Sequence, residues 1–185
     1  EMLQNYYQAP IVTDGLVFAV DAGNLVSYES GSTTTYSLTG SDTGTLNNGV
    51  AFDSNNGGTW DFDGVDDYIS MSVSSTYMTL AFWIKIDDTS DIAGIADGAG
   101  SGNLDLYNNT SGYYYLYTTN TDETRTALTS DTSVAQGDWH YLVVVFGPGY
   151  RKIYQNNALV ASDTKTSKPL TIFNMGHVNS YKLDG

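Results

Sequence analysis

The sequence predicts an all-β protein, an antiparallel two-sheet β-sandwich of the jelly-roll kind, and three observations carry that expectation. Apolar and aromatic residues come in short alternating runs, separated by Gly-, Asn- and Asp-bearing turns roughly every 8 to 12 residues, which is sandwich spacing rather than that of βαβ units. The composition agrees, with 15 Tyr suited to strands and 19 Gly suited to turns. The acids agree as well: Glu occurs only at Glu1, Glu29 and Glu123, and every other acid is Asp, which caps and turns a chain where Glu would extend a helix. A chain of 185 residues buries about 70% of its extended surface, which suits one domain.

Met2, Leu3, Tyr6 and Tyr7 fall at helical spacing and predict a short amphipathic helix that Pro10 ends. From Ile11 the pattern becomes β. The run GLVFAVDAG, residues 15–23, is almost continuously apolar between glycines and predicts a strand buried in the sandwich core. Residues 29–59 read as long polar loops with short strands near Gly49 to Phe52. Residues 59–73 place Trp60 and Phe62, then Tyr68, Met71 and Val73, around a DGVDD turn, so a strand, a tight turn and another strand are expected. Residues 78–87 predict a core strand, and 92–96, 104–107 and 113–118 predict shorter ones between Gly and Asn turns. The strongest pattern comes last: a strand at 139–146, a Gly-Pro-Gly turn, a strand at 150–154, a QNN turn and a strand at 158–161.

Charge and residue types exclude several functions. The net charge is -14, from 7 bases and 21 acids, so no basic stripe exists to hold nucleic acid. Five of the bases fall in residues 151–185, too sparsely to form a patch for an anionic membrane, and no apolar run reaches the roughly 20 residues of a membrane span. Without cysteine there are no disulfides, thiolate zinc sites or thiol nucleophiles. The opening EMLQNYYQAP lacks the basic and apolar regions of a signal peptide and reads as the start of an internal piece.

Three segments, in order, carry a family resemblance. FDGVDDYI at 62–69, MTLAFWIKID at 78–87 and GDWHYLVVVF followed by KIYQNNALV up to residue 160 resemble the concanavalin A-like lectin/glucanase superfamily, specifically its laminin G-like, pentraxin-like jelly-roll domains. With GLVFAVDAGN and LNNGVAFDSNNGG the chain is most similar to the type found in virion proteins of tailed bacteriophages, as fibre or capsid-decoration modules. That resemblance implies a non-enzymatic structural and adhesive module at the virion surface, with weak glycan binding. Its implied partners are other virion subunits, tandem repeats or further copies in a homo-oligomer, and surface glycans. A secreted cellular lectin or adhesin repeat is the alternative, and a glycosidase fragment comes third. The resemblance also implies the domain frame: residues 1–10 as the closing helix of a preceding unit or a linker, and 11–185 as the jelly roll without its final strand, which would follow the LDG at 183–185. A longer chain whose first residues merely look similar remains the other reading.

Catalysis is not expected. The glucanase members use a strand with paired carboxylates of the E-x-D-x-E type, which three scattered Glu cannot supply, and no G-x-S-x-G is present. His140 and His177 are the only candidate bases, and His140 after Trp139 reads as a packing residue. Acidic, Gly-rich loops suit Ca2+, with Asp14, Asp21, Asn24 and Asp184 as the candidate set and Asp63, Asp66 and Asp67 as a second cluster more simply read as a turn. Glycan binding needs aromatic platforms flanked by hydrogen-bonding groups. Strand alternation puts Tyr113, Tyr115 and Tyr117 on one face, beside Asn108 and Asn109, and Tyr114 with Leu116 on the other. Core or interface packing is the plainer reading of those tyrosines.

Overall fold

The computed structural model describes residues 13–73, 75, 77–88, 90–98, 104–169 and 173–185; the helix expected over 1–10 lies outside them. Five strands come first: β1 (Thr34–Tyr36), β2 (Thr43–Asn47), β3 (Ala51–Asp53), β4 (Thr59–Asp61) and β5 (Tyr68–Met71). After β6 (Met78–Lys85) a meander is formed by β7 (Ala93–Gly98), β8 (Leu104–Asn108), β9 (Tyr113–Thr119) and β10 (Arg125–Ser133). A second meander comprises β11 (Trp139–Gly147), β12 (Tyr150–Gln155) and β13 (Ala158–Asp163). Three short strands come last, β14 (Phe173–Met175), β15 (His177–Val178) and β16 (Tyr181–Lys182).

These strands make the expected antiparallel sandwich. The large sheet runs β1-β2-β5-β14-β7-β8-β9-β10, with the β15–β16 pair joined to β7; the small sheet runs β13-β12-β11-β6, and β3 and β4 form a separate hairpin. Alternation divides each strand between two faces. Leu104, Leu106, Tyr114 and Leu116 from the large sheet and Leu142, Val144, Phe146 and Ile153 from the small one are fully buried between the layers. Each such side chain contributes about 1.5–3 kcal/mol through the apolar area it removes from water. The QNN turn also forms as expected: Asn156 and Asn157 both take positive φ, 49° and 68°, the pairing a two-residue type I′ hairpin requires.

One buried ion pair joins the layers. Arg151 of β12 is 0% exposed, and its five guanidinium N–H groups have five acceptors. Nε donates to Asp163 Oδ1 at 3.0 Å, Nη1 to Thr118 Oγ1 at 3.1 Å and to the Thr126 carbonyl at 2.8 Å, and Nη2 to Thr126 Oγ1 at 3.2 Å and to Asp163 Oδ2. Thr118 and Thr126 belong to the large sheet, Asp163 to the small one.

Besides the short strands β1, β2, β14, β15 and β16, which were not expected, two further segments depart from the sequence reading. Residues 15–23, expected as a core strand, run outside any ladder, and Val17 is 57% exposed. An apolar run becomes a strand only when a neighbouring strand takes up its backbone groups in a ladder; here the Leu16 N–H closes a local turn on the Thr13 carbonyl, the Asp21 N–H donates to Ser27 Oγ, and Ala19 donates to Ser37 Oγ and accepts from the Leu38 N–H. Conversely, β10 was not expected, because RTALTSDTS is polar. Its position at the sheet edge explains it: only Leu128 and Ser130 are buried, so two inward residues suffice.

Candidate functional site

The outer face of the large sheet gathers the aromatic and polar groups. In β9 Tyr114, Leu116 and Thr118 are buried, which turns Tyr113, Tyr115 and Tyr117 outward as alternation predicts. In β8 Leu104, Leu106 and Asn108 are buried, so Asp105 and Tyr107 face out. The β8–β9 register pairs Asp105 with Tyr117 and Tyr107 with Tyr115, and the rings stack. Tyr107 lies 5.3 Å from Tyr115 at an interplanar angle of 5°, and 5.7 Å from Tyr117 at 19°. Tyr181 of β16 adds a fourth ring, 6.0 Å from Tyr107. Stacking side by side leaves each ring half-buried, a flat apolar platform tipped with hydroxyls.

Charged and amide groups border this platform. The Arg125 guanidinium sits 5.4 Å over the Tyr117 ring and pairs with Asp105, which also accepts a 3.2 Å hydrogen bond from Asn179 Nδ2. Cross-strand register then extends a single row over the sheet: Thr45, Ser70, Asn174, Asp97, Asp105 and Tyr117 are successive direct partners. Asn174 Nδ2 donates to Asp97 Oδ1 at 2.7 Å, His177 Nε2 lies 3.7 Å from Asp97 Oδ2, and the Tyr68 ring packs edge-on against His177 at 4.8 Å.

Burial sets the protonation of these groups. It raises the Tyr107 phenol well above its ordinary value, as do its hydrogen bond to Tyr117 and the neighbouring phenols, so Tyr107 stays neutral and able both to donate and to accept. Burial raises the Asp97 carboxyl against the Asn174 hydrogen bond and the His177 charge, with Asp105 adding to the rise. The same desolvation lowers His177, which the Asp97 charge only partly offsets. Asp97 and Asp105 oppose each other across β7 and β8, yet Asp105 is tied to Arg125 and Asn179 and Asp97 to Asn174. Held in these bonds, the carboxylates serve as fixed acceptors at the edge of an aromatic surface.

The sequence-predicted residues divide accordingly. Tyr115 and Tyr117 belong to the stack, and Tyr113 shares their face. Asn109 folds the preceding turn, its Oδ1 accepting the Ser111 and Tyr113 N–H groups at 3.0 and 2.9 Å, with its Nδ2 3.5 Å from the Tyr115 hydroxyl. Asn108 does not face the platform: it is buried opposite Tyr114, with its Nδ2 bonded to the Gly112 carbonyl. Its neighbour in sequence hid this, because consecutive strand residues point to opposite faces. Sequence reasoning missed Tyr107 and Asp105, which alternation in LDLYN could have paired with the tyrosines. It also missed Asn174, Asn179 and Tyr181, which carry no local signal, and named His177 only as a candidate base.

The acidic candidates separate too. Asp21 Oδ1 accepts the Gly23 N–H and Asn24 Oδ1 the Val26 N–H, each closing a local turn, while Asp14 is exposed in the turn before Leu16. Asp184 instead bridges Asp63 and lies against Gly64. Asp63, Asp66 and Asp67 each place a carboxylate oxygen within 4.8 Å of the other two, about twice a Ca–O distance and so within one ion's shell. Asp63 Oδ1 already accepts the Val65 N–H at 2.8 Å, but Asp67, only 3% exposed, has an Oδ1 without a partner among the described residues. Burial first, then the Asp63, Asp66 and Asp61 charges, raise the Asp67 carboxyl, against its bond from the Asp63 N–H.

A family model described as the concanavalin A-like lectin/glucanases superfamily, of laminin G type, matches residues 62–179. A search of curated proteins finds no match. Among solved structures, the chain is similar to the receptor-binding domain of botulinum neurotoxin D, with a TM-score of 0.66 and 15% identity over 84% of this chain and 45% of that one. It is also similar to domain 4 of a GH43 extracellular arabinanase from Geobacillus stearothermophilus, solved with arabinotriose, with a TM-score of 0.61 and 18% identity over 79% of this chain and 78% of the other. Mouse laminin α1 domains LG4-5 give a TM-score of 0.53 and 14% identity over 68% of this chain and 38% of that one. The chain thus spans less than half of the neurotoxin and laminin chains. At these identities the likeness establishes a fold shared with lectin-like binding domains.

Proposed function

Because the chain belongs to the concanavalin A-like lectin/glucanases superfamily, we propose that it is a non-enzymatic binding module that takes up glycan on the tyrosine face of its large sheet. The observation that carries this reading is the near-parallel stack of Tyr107, Tyr115 and Tyr117, bordered by Asp105, Arg125 and Asn179. A sugar ring offers an apolar C–H face and a rim of hydroxyls. The stack matches the face, and fixed carboxylate, amide and guanidinium groups match the rim. The arabinanase domain solved with arabinotriose supports the reading at the level of fold. The virion-like segments GLVFAVDAGN and FDGVDDYI support display on a phage particle, where the net charge of -14 would keep crowded copies soluble.

The test is a glycan array probed in parallel with the wild-type chain and with Tyr107→Ala and Tyr117→Ala. Binding to a restricted set of glycans, weakened at least about tenfold in both variants, is expected; one lost stacking contact of about 1.4 kcal/mol gives that factor. A silent array, or binding indifferent to both substitutions, overturns the assignment. Immunogold labelling of phage particles tests the setting separately.

A further inference from the structure

The tyrosine stack is one end of a longer strip on the outer face of the large sheet, made of two adjoining rows that run across the strands. The first row is aromatic: Tyr68, His177, Tyr181, Tyr107 and Tyr115, all half-buried. At one end Tyr68 lies 4.8 Å from His177, and at the other Tyr107 lies 6.0 Å from Tyr181 and 5.3 Å from Tyr115. The β15–β16 pair closes the middle, because His177 faces Lys182 and Val178 faces Tyr181 in its register. This pair packs directly against Gly94 of β7, where a Cβ would meet the Tyr181 carbonyl oxygen at 2.3 Å and the Val178 nitrogen at 2.6 Å. Only a glycine there admits the pair so close to the sheet.

The second row is polar: Ser70, Asn174, Asp97, Asp105 and Tyr117, which are direct partners from strand to strand. Tyr68 and Ser70 on β5, Asp105 and Tyr107 on β8, and Tyr115 and Tyr117 on β9 are each two residues apart, so the rows lie about 7 Å from each other. From β5 to β9 the strip crosses four inter-strand spacings, about 19 Å, several times the reach of one sugar ring. A single terminal sugar would cover only part of it. A linear chain would set successive ring faces on the aromatic row and the hydroxyls of one edge on the polar row. Charge narrows the class further. The strip carries the carboxylates Asp97 and Asp105, the neighbouring Arg125 is already paired with Asp105, and the net charge is -14, all of which disfavour uronate or sulfate groups.

We propose that this strip takes a linear neutral glycan laid across the strands, several sugar units at once, with Tyr68 and His177 forming the subsite farthest from Tyr115. The inference rests on the tyrosine face being a glycan site and names the class of glycan that face selects.

Chain length and charge provide the test. The probes are linear gluco-, manno-, xylo- and arabino-oligosaccharides of two and six units, beside oligogalacturonates and heparin-derived oligosaccharides of the same lengths. At least one neutral series should bind at least about tenfold more tightly at six units than at two, the factor that one further stacked ring worth about 1.4 kcal/mol supplies. Tyr68→Ala should bring six-unit binding down to the two-unit level, and Tyr68→Phe, which keeps the ring, should retain the gain. Equal binding of both lengths, a length gain indifferent to Tyr68→Ala, a loss as large in Tyr68→Phe, or tighter binding of the anionic chains overturns the strip while leaving the tyrosine stack as a sugar site. Silence with every series overturns both readings.

Discussion

Removing the Asp163 carboxylate should cost this fold far more than removing a surface charge. In Asp163→Ala the Arg151 guanidinium, 0% exposed, keeps its charge and loses the acceptors of Nε and one Nη2 N–H, leaving the two bonds of Nη1 and one to Thr126 Oγ1. Breaking a buried pair from one side costs about 3–5 kcal/mol. The Asp163 side chain is 27% exposed, so water can enter the vacated space, and a loss of about 3 kcal/mol is expected. For a chain of this size that lowers Tm by roughly 6–12 °C. Urea unfolding at pH 7 followed by tryptophan fluorescence measures it. The double variant Arg151→Met with Asp163→Leu removes both charges and should recover most of the loss. Acid supplies an independent check. Burial pushes the Asp163 carboxyl up, but the Arg151 hydrogen bond, the Lys165 N–H and the Arg151 charge outweigh it and hold it below 3.8. The pair therefore contributes fully above that value and is lost as pH falls through the lowered folded pKa, a limb that Asp163→Ala should lack. A cost under about 1 kcal/mol for Asp163→Ala would refute the reasoning, since the buried guanidinium would then need no counter-charge.

Other expectations concern the site and the core. His177 is lowered from 6.5 by burial, so as pH falls below 6.5 the unfolded chain takes up the proton first and stability declines until the folded histidine protonates; His177→Gln should flatten that part of a Tm-against-pH curve. Asp97 has the opposite sign: its raised carboxyl makes stability fall as pH rises from 3.8 through the folded value, and Asp97→Asn should remove that decline in the same measurement. Calcium at 10 mM is expected to raise stability by about 1.4–2.7 kcal/mol if the Asp63, Asp66 and Asp67 oxygens bind it with a Kd of about 0.1–1 mM, and Asp67→Asn should abolish the gain; a Tm indifferent to Ca2+ returns the cluster to a turn. Leu142→Ala, at a site with no exposure, should cost about 2–5 kcal/mol in urea titration, whereas Thr129→Ala on exposed β10 should change stability by less than about 0.5 kcal/mol.

Local chemistry determined a large part of this protein from sequence alone. Alternation in YYYLY fixes which tyrosines share a face whatever lies beyond the strand, because successive side chains must point to opposite sides. The QNN turn and the Asp63–Gly64 turn are equally local, set by residues that tolerate positive φ or accept neighbouring N–H groups. The family segments at 62–69, 78–87 and 137–160 are runs of this kind, which is why the sandwich was legible.

Only the tertiary structure decided which strands become neighbours. Tyr181 meets Tyr107, Asn174 meets Asp97 and Arg151 meets Thr126 through sheet pairing and layer contact across many intervening residues, and no periodicity encodes such meetings. For the same reason GLVFAV, an almost continuously apolar run, lies outside any ladder while polar RTALTSDTS is a strand. A strand exists through the hydrogen bonds that a neighbour supplies. The aromatic character of the tyrosine face was therefore present in the sequence, but its four-ring platform and charged border exist only once β8, β9, β10 and β16 are brought together.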